Sequence, residues 1–161
     1  MPNTTPSAPE MDLMFLLSWA SHALATEQTA ALSGLGITPR AYCVLYKALP
    51  GNLTQRRLAE ICGLDKSTMV VTVDELEKAG LAERRPSSTD RRVRIIHVTP
   101  KGMEMIAEAN QIVARVQRDV LSALPQDQRE GFTNGLAVLV EGRLSTLTPS
   151  ERPPRRPSVR S

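Results

Sequence analysis

Apolar residues recur every three or four positions at both ends of the chain, which is the spacing of amphipathic helices. A long helix is predicted from about residue 10 to residue 33, with apolar side chains around much of its circumference. A second long helix from about residue 100 to 125 and a further one to about residue 145 repeat the pattern. Helices that are apolar on several sides need several packing partners, either within one chain or in a second copy.

The middle of the chain shows two short amphipathic helices separated by only a few residues. Thr54 is expected to cap the first helix, Gly63 to end it, and Asp65 to cap the second. Met69, Val73 and Leu76, with Val70 beside them, form the inward stripe of the second helix. A turn this short makes the two helices cross at a steep angle, as in a helix-turn-helix.

A two-stranded hairpin is predicted directly after these helices, within residues 81–99. Its second strand alternates, with Val93, Ile95 and His97 on one face and Arg92, Arg94, Ile96 and Val98 on the other. We expect His97 to be packed and hydrogen-bonded. The predicted fold class is therefore mostly α with a small β-hairpin wing, a winged helix-turn-helix.

Candidate DNA contacts lie on the outward sides of these elements. From Arg84 to Arg94 there are five arginines and one acid, and arginine is favoured in a narrow, electronegative minor groove. Arg91, Arg92 and Arg94 are expected to enter or flank that groove, and Asp90 to pair with one arginine and fix its direction. The major-groove candidates, in the first turns of the second short helix, are Lys66, Ser67, Thr68 and Val71, and the phosphate candidates are Thr54, Gln55 and Arg56. These residues predict a protein that binds double-stranded DNA.

Short motifs around the hairpin match a known pattern. Asp90, Arg91 and Arg92 match a wing-tip D-x-R, Thr99 with Gly102 match a T-x-x-G that opens the next helix, and DELEKAGLAERR precedes both. With these motifs the chain resembles the MarR family of bacterial transcription regulators over roughly residues 10 to 145. The resemblance implies a homodimer, joined through its N- and C-terminal helices, that presents two wings to a palindromic operator. It also implies a repressor more often than an activator.

The domain boundaries follow from composition. Residues 1–9 and 146–161 are predicted to be a disordered lead and a disordered basic tail. The domain between them, residues 10–145, divides into a DNA-binding lobe at about 38–99 and dimerisation helices at about 10–33 and 100–145. The net charge of +3 comes from the tail, which holds four arginines and one glutamate, so the rest of the chain has 16 basic and 16 acidic residues. Overall charge is therefore no evidence for DNA binding.

Two pairs of ring side chains are spaced one helical turn apart. They are Trp19 with His22 in the first helix, and Tyr42 with Tyr46 in the next. The family resemblance implies a small phenolic or aromatic effector between the dimer helices and the DNA-binding lobe, and these rings could line its pocket. The alternative is that all four fill a junction between helices.

Other chemistries receive little support from the sequence. Zinc would need four convergent ligands, but His22, Cys43, Cys62 and His97 lie on different elements without paired spacing. No metal or other cofactor is predicted, and with no catalytic motif present we expect no enzyme. Cys43 and Cys62 sit among apolar residues, so buried, inert thiols are expected, with a cysteine-based redox sensor as the alternative.

The apolar run MFLLSWA is too short for a membrane span, and no signal peptide is predicted, so we expect a cytoplasmic protein. A further alternative for its function is a helical module whose winged fold docks a protein partner.

Overall fold

The structure is a computed structural model that describes residues 12–146. The predicted N-terminal lead, and the predicted tail apart from Thr146, lie outside the described residues. The chain divides into two compact units, one up to Arg118 and one from Asp119. Its elements are α1 (Leu13–Leu32), α2 (Pro39–Lys47), α3 (Gln55–Cys62), α4 (Lys66–Lys78), β1 (Ala82–Pro86), β2 (Arg94–Val98), α5 (Pro100–Ser122) and α6 (Gln126–Glu141), with a 3₁₀ turn at Ser33–Leu35.

Side-chain caps set the starts of the three short helices. Thr38 Oγ1 accepts from Ala41 N at 3.1 Å, Thr54 Oγ1 accepts from Arg57 N at 3.1 Å, and Asp65 Oδ1 accepts from Thr68 N at 2.9 Å. Each cap satisfies a backbone N–H that has no partner inside its helix. Gly63 ends α3 with a φ of 63°, a conformation that favours glycine. The caps and the short turn predicted between α3 and α4 are confirmed.

The core of the first unit lies between α2, α3, α4 and the hairpin. Its fully buried residues include Val44, Leu45, Leu58, Met69, Val73, Leu76 and Ile96. The inward stripe predicted for α4 is confirmed, and Thr72 joins it as a buried polar residue. The Thr72 hydroxyl donates to Thr68 O at 2.7 Å, so its polar group is satisfied inside the helix.

The hairpin is antiparallel, with Ala82 opposite Val98 and Pro86 opposite Arg94. The predicted alternation of β2 is confirmed, because Ile96 is buried whereas Ile95 is half-buried. β2 begins only at Arg94, because the preceding residues close a turn in which Ser87 N donates to Val93 O at 2.9 Å. A backbone bond from Ile96 N to Leu53 O, 3.2 Å long, attaches β2 to the segment that enters α3.

His97 does not fully match its prediction. The residue is half-buried in β2, as expected of a packed strand histidine. Its Nδ1 atom is buried, however, and has no hydrogen-bond partner within residues 12–146. The packing expected of His97 is therefore found, whereas the expected hydrogen bond is missing at Nδ1 within the described residues.

Thr99 and Gly102 fix the start of α5 against the hairpin. Thr99 Oγ1 accepts from Gly102 N at 3.0 Å and donates to Gly80 O at 2.7 Å. A Cβ atom at Gly102 would overlap the carbonyl oxygen of Leu81, and backbone cannot yield as a flexible side chain would. Glycine at this position lets the first turn of α5 approach the start of β1.

The helices near the two ends of the described chain expose many apolar side chains. In α1 the exposed set is Leu13, Met14, Phe15, Leu16 and Trp19, and Leu32 alone is buried among residues 13–32. In and just after α6 the exposed set is Phe132, Val138, Leu139, Val140 and Leu144, and no residue of Gln126–Glu141 is buried. Each of these two helices therefore presents an exposed apolar surface. No helix within residues 12–146 has the length and apolar character needed to cross a bilayer.

Candidate nucleic-acid interface

The start of α3 and the start of β2 line one open groove. Thr54, Gln55 and Arg56 form one side, Val93 and Arg94 form the other, and the space between them measures about 470 Å³. The sequence placed phosphate contacts on one of these elements and minor-groove contacts on the other. The structure brings Arg94 of the minor-groove set next to all three phosphate candidates, whereas Arg91 and Arg92 do not line this groove.

The first turns of α4 present the predicted major-groove residues to solvent. Lys66, Ser67 and Val71 are exposed, and Thr68 is half-buried at the margin. The Thr68 hydroxyl donates to Asp65 Oδ2 at 2.6 Å, so that proton is engaged in the helix cap. Hydrogen bonds from Thr68 hold the pKa of the Asp65 carboxyl below its usual value. Lys66, Ser67 and Val71 are therefore the side chains of this helix that are free to approach a base edge.

The start of α3 carries exposed arginines and a glutamine whose side-chain amide is already hydrogen-bonded. The Thr54 hydroxyl caps the helix, and Gln55 Oε1 accepts from Arg84 Nε at 2.9 Å. Arg56 is 91% exposed and lies 3.4 Å from Glu60, which also pairs with Arg57 at 2.9 Å. The hydrogen bond from Arg57 lowers the pKa of Glu60. Arg57 is an exposed cation that the sequence analysis did not select, although it directly follows Arg56.

The wing tip holds its shape with backbone hydrogen bonds. Asp90 Oδ1 accepts from the backbone N of Arg92 at 2.9 Å, and Arg94 Nη1 donates to the carbonyl of Arg91 at 3.1 Å. The expectation that Asp90 pairs with a guanidinium group is wrong, because within the described chain its carboxylate stabilises the turn instead. The Arg91 and Arg92 side chains are exposed, and within residues 12–146 neither guanidinium group has a hydrogen-bond partner.

Arg84 has a structural role. Its side chain is 21% exposed and reaches Asp74 Oδ1 at 2.7 Å, Glu77, Gln55 and the Val70 carbonyl. Its backbone N also donates to Glu77 Oε1 at 2.7 Å. One guanidinium group thus connects α3, α4 and β1. At least one of the five hairpin arginines therefore serves the fold rather than a DNA contact.

The two ring pairs differ in their surroundings. Trp19 and His22 have centroids 6.3 Å apart on α1, and Trp19 is 64% exposed. Tyr42 and Tyr46 are 6.0 Å apart on α2, and the Tyr42 hydroxyl donates to Asn110 Oδ1 at 2.6 Å. Burial raises the pKa of Tyr42. Tyr42 thus fills a junction between α2 and α5, whereas Trp19 does not fill one within the subunit.

The two cysteines are neighbours in space. Cys43 Sγ and Cys62 Sγ lie 3.9 Å apart, and both residues are half-buried. The expectation of buried thiols is wrong, because α2 and α3 meet near the surface at this point. Within residues 12–146 no three potential metal ligands among His, Cys, Asp and Glu come together.

Comparisons with known proteins agree with this geometry. Residues 35–93 match a family model described as the MarR family. A relative from Thauera aromatica, described as a candidate transcriptional regulatory protein for the hcr operon, is 39% identical over 103 residues, which are 63% of this chain and 61% of the relative. The match thus spans about three-fifths of that relative's length.

Solved structures with the same fold match a larger part of this chain. CouR from Rhodococcus jostii, solved with p-coumaroyl-CoA, is 28% identical with a TM-score of 0.72 and covers 86% of this chain and 96% of its own. A MarR family protein from Mycobacterium tuberculosis, solved with salicylic acid, is 27% identical with a TM-score of 0.70 and covers 83% and 99%. The winged helix-turn-helix predicted from the sequence is confirmed.

Replacing Arg84 by alanine tests its structural role. We expect Arg84→Ala to destabilise the fold by about 1.5–3 kcal/mol, because charge-assisted bonds to Asp74, Glu77 and Gln55 are lost together. Urea unfolding followed by circular dichroism measures the change. Arg85→Ala is the matched control, since Arg85 is 55% exposed, and its surface pair with Glu83 is expected to contribute less than about 1 kcal/mol. Equal stabilities for the two variants would contradict this role.

Proposed function

We propose that this chain is a member of the MarR family, to which it is similar, and a transcription regulator that binds double-stranded DNA as a homodimer. It acts on a palindromic operator in the cytoplasm, and represses by occluding a promoter. Its family is one of transcription regulators rather than of enzymes. The observation that carries the proposal is the shared groove between α3 and the wing, with exposed cations on both sides.

The groove supports a division of contacts. Free N–H groups and Arg56 at the start of α3 suit a phosphate, as does the amide nitrogen of Gln55. Lys66, Ser67 and Val71 then face the major groove, with Thr68 at its edge. Arg91 and Arg92 reach the adjacent minor groove, while Asp90 and Arg94 fix the turn that carries them.

The exposed apolar helices support the homodimer. Exposed apolar surface of this extent normally marks an interface, and a second copy is the partner that closed symmetry provides. A twofold dimer would place two recognition helices about one turn of DNA apart, roughly 34 Å. Such an arrangement fits a palindromic site.

A small aromatic effector fits the exposed rings. CouR was solved with p-coumaroyl-CoA and the Mycobacterium protein with salicylic acid, and both ligands carry an aromatic ring and an acyl or carboxyl group. In this chain Trp19, His22, Tyr42 and Tyr46 offer aromatic faces and polar tips for such a molecule. Binding there would change the spacing of the recognition helices and release the operator.

The wing is tested with duplex fragments that the protein selects from random-sequence DNA. We expect affinity to fall steeply with salt, and Arg92→Ala to weaken binding by roughly 1–3 kcal/mol while the dimer stays intact. Fluorescence anisotropy measures both effects. Arg115→Ala, which removes an exposed arginine from α5, is the control and should bind as the wild type does. If the protein does not bind duplex DNA even at low salt, the result would contradict DNA binding and favour the alternative, a winged module that docks a protein partner.

The dimer is tested by light scattering after size-exclusion chromatography. We expect a mass near twice the 17.6 kDa of one chain. Phe15→Asp and Val138→Asp should each shift the equilibrium from dimers toward single subunits, because each variant would bury a charge in an apolar interface. Ser21→Asp, at an exposed polar position of α1, is the control that should leave the mass unchanged. A wild type that elutes as a single subunit at micromolar concentration would exclude the dimer.

The effector is tested by calorimetric titration with salicylate. We expect saturable binding that Trp19→Ala weakens roughly threefold to tenfold, which corresponds to an aromatic contact of about 0.5–1.5 kcal/mol. Met103→Ala removes an exposed apolar side chain from α5 and serves as the control. If titrations with salicylate and with p-coumaroyl-CoA release no measurable heat, and neither ligand shifts the melting temperature of the protein, the result argues against an aromatic ligand.

A further inference from the structure

We propose that Cys43 and Cys62 form a reversible disulfide within one subunit, which ties α2 to α3 when a hydroperoxide oxidises the pair. These residues are 19 positions apart in the chain and lie on different helices. The structure places them side by side. The proposal concerns a covalent site separate from the DNA-facing residues.

The geometry is close to that of a disulfide. The two Sγ atoms are 3.9 Å apart, whereas a disulfide bond is about 2.05 Å long. Rotating the two side chains and moving the end of α3 by about an ångström would close the remaining gap. Cys62 is the last residue of α3, and the helix ends at Gly63, so little regular structure opposes that movement. Both cysteines are half-buried rather than fully enclosed, and a peroxide is small enough to approach a partly exposed residue.

The surroundings give the two thiols different roles. The Cys62 thiol can donate a hydrogen bond to the Cys43 thiolate, which lowers the pKa of Cys43 to about 6, and the Lys47 ammonium lowers it further against the opposing effect of burial. The same hydrogen bond raises the pKa of Cys62. Cys43 is therefore the attacking thiolate and Cys62 the resolving thiol.

The chemistry balances with a hydroperoxide as the oxidant. The Cys43 thiolate attacks the outer oxygen of ROOH, the O–O bond breaks, and the alkoxide takes a proton to leave as the alcohol. Cys43 is then a sulfenic acid and no longer a thiolate, so it no longer raises the pKa of Cys62. Cys62 loses its proton and attacks the Cys43 sulfur, the S–O bond breaks, and hydroxide leaves as water with that proton. Two electrons pass from the thiols to the peroxide, and an external dithiol reverses the change by exchange.

Disulfide formation should also affect DNA binding, a consequence that rests on the proposed function. α3 carries Thr54 and Arg56 at its start and is attached to β1 through the bond between Gln55 and Arg84. Pulling its other end toward α2 displaces this short helix as a body. We therefore expect the oxidised protein to bind its duplex more weakly.

The covalent step is tested on the full-length protein with hydrogen peroxide. We expect the intact mass to fall by about 2 Da, with one peptide pair linking residues 43 and 62, and dithiothreitol to restore both thiols. In Cys62→Ser, Cys43 should accumulate as a sulfenic acid, because the serine hydroxyl can still donate to its thiolate. In Cys43→Ser, Cys62 should react far more slowly. Free thiols after treatment, a disulfide between subunits, or equal reactivity of the two variants would overturn the proposal.

The DNA consequence is measured separately by anisotropy. We expect peroxide to weaken duplex binding by the wild type roughly tenfold, a typical coupling between two sites, and to leave the Cys43→Ser/Cys62→Ser double variant unchanged. Equal affinities of the reduced and oxidised wild type would refute the coupling and leave the disulfide standing. A reduced protein that binds no duplex would refute the proposed function, whereas the mass measurement would still decide the disulfide.

Discussion

The arrangement of the DNA-facing elements depends on one half-buried guanidinium group. Arg84 lies on β1, yet it bonds to Gln55 at the start of α3 and to Asp74 and Glu77 on α4. A planar group with five donors can satisfy partners on two other elements at once, which an ammonium group does not do as well. Arg84 therefore links α3, α4 and β1 next to the candidate contacts, in addition to the buried core that these elements share. The backbone bond between Ile96 and Leu53 strengthens the same junction.

The sequence predicted what depends on neighbours along the chain. The caps at Thr54 and Asp65, the break at Gly63 and the alternation of β2 involve residues a few positions apart, so composition and spacing were enough. Asp90 shows where this reasoning failed. A lone acid among arginines suggested an ion pair, but its carboxylate is two residues from a free backbone N–H, and that local bond competes successfully in a tight turn.

Features that depend on long-range placement were beyond the sequence. Arg84 and Gln55 are 29 positions apart, and Cys43 and Cys62 are 19 apart, so nothing in their spacing marks them as partners. The apolar stripes of α1 and α6 were visible in the sequence, but their exposure was not. Exposed apolar surface of this kind is typical of an interface with a partner.

The partners of each arginine determine which residues of the hairpin are available to bind DNA. The sequence predicted groove contacts for Arg91, Arg92 and Arg94, and the structure separates the five hairpin arginines by their partners. Arg84 and Arg85 pair with acidic side chains, and Arg94 donates to a carbonyl within the turn. Arg91 and Arg92 lack such a partner within the described residues, so a phosphate or base edge would replace only water. The balanced charge of the rest of the chain is thus compatible with a strongly cationic wing tip. What matters for recognition is which guanidinium groups the fold leaves available, since a cation already held by a carboxylate would have to give up that bond first.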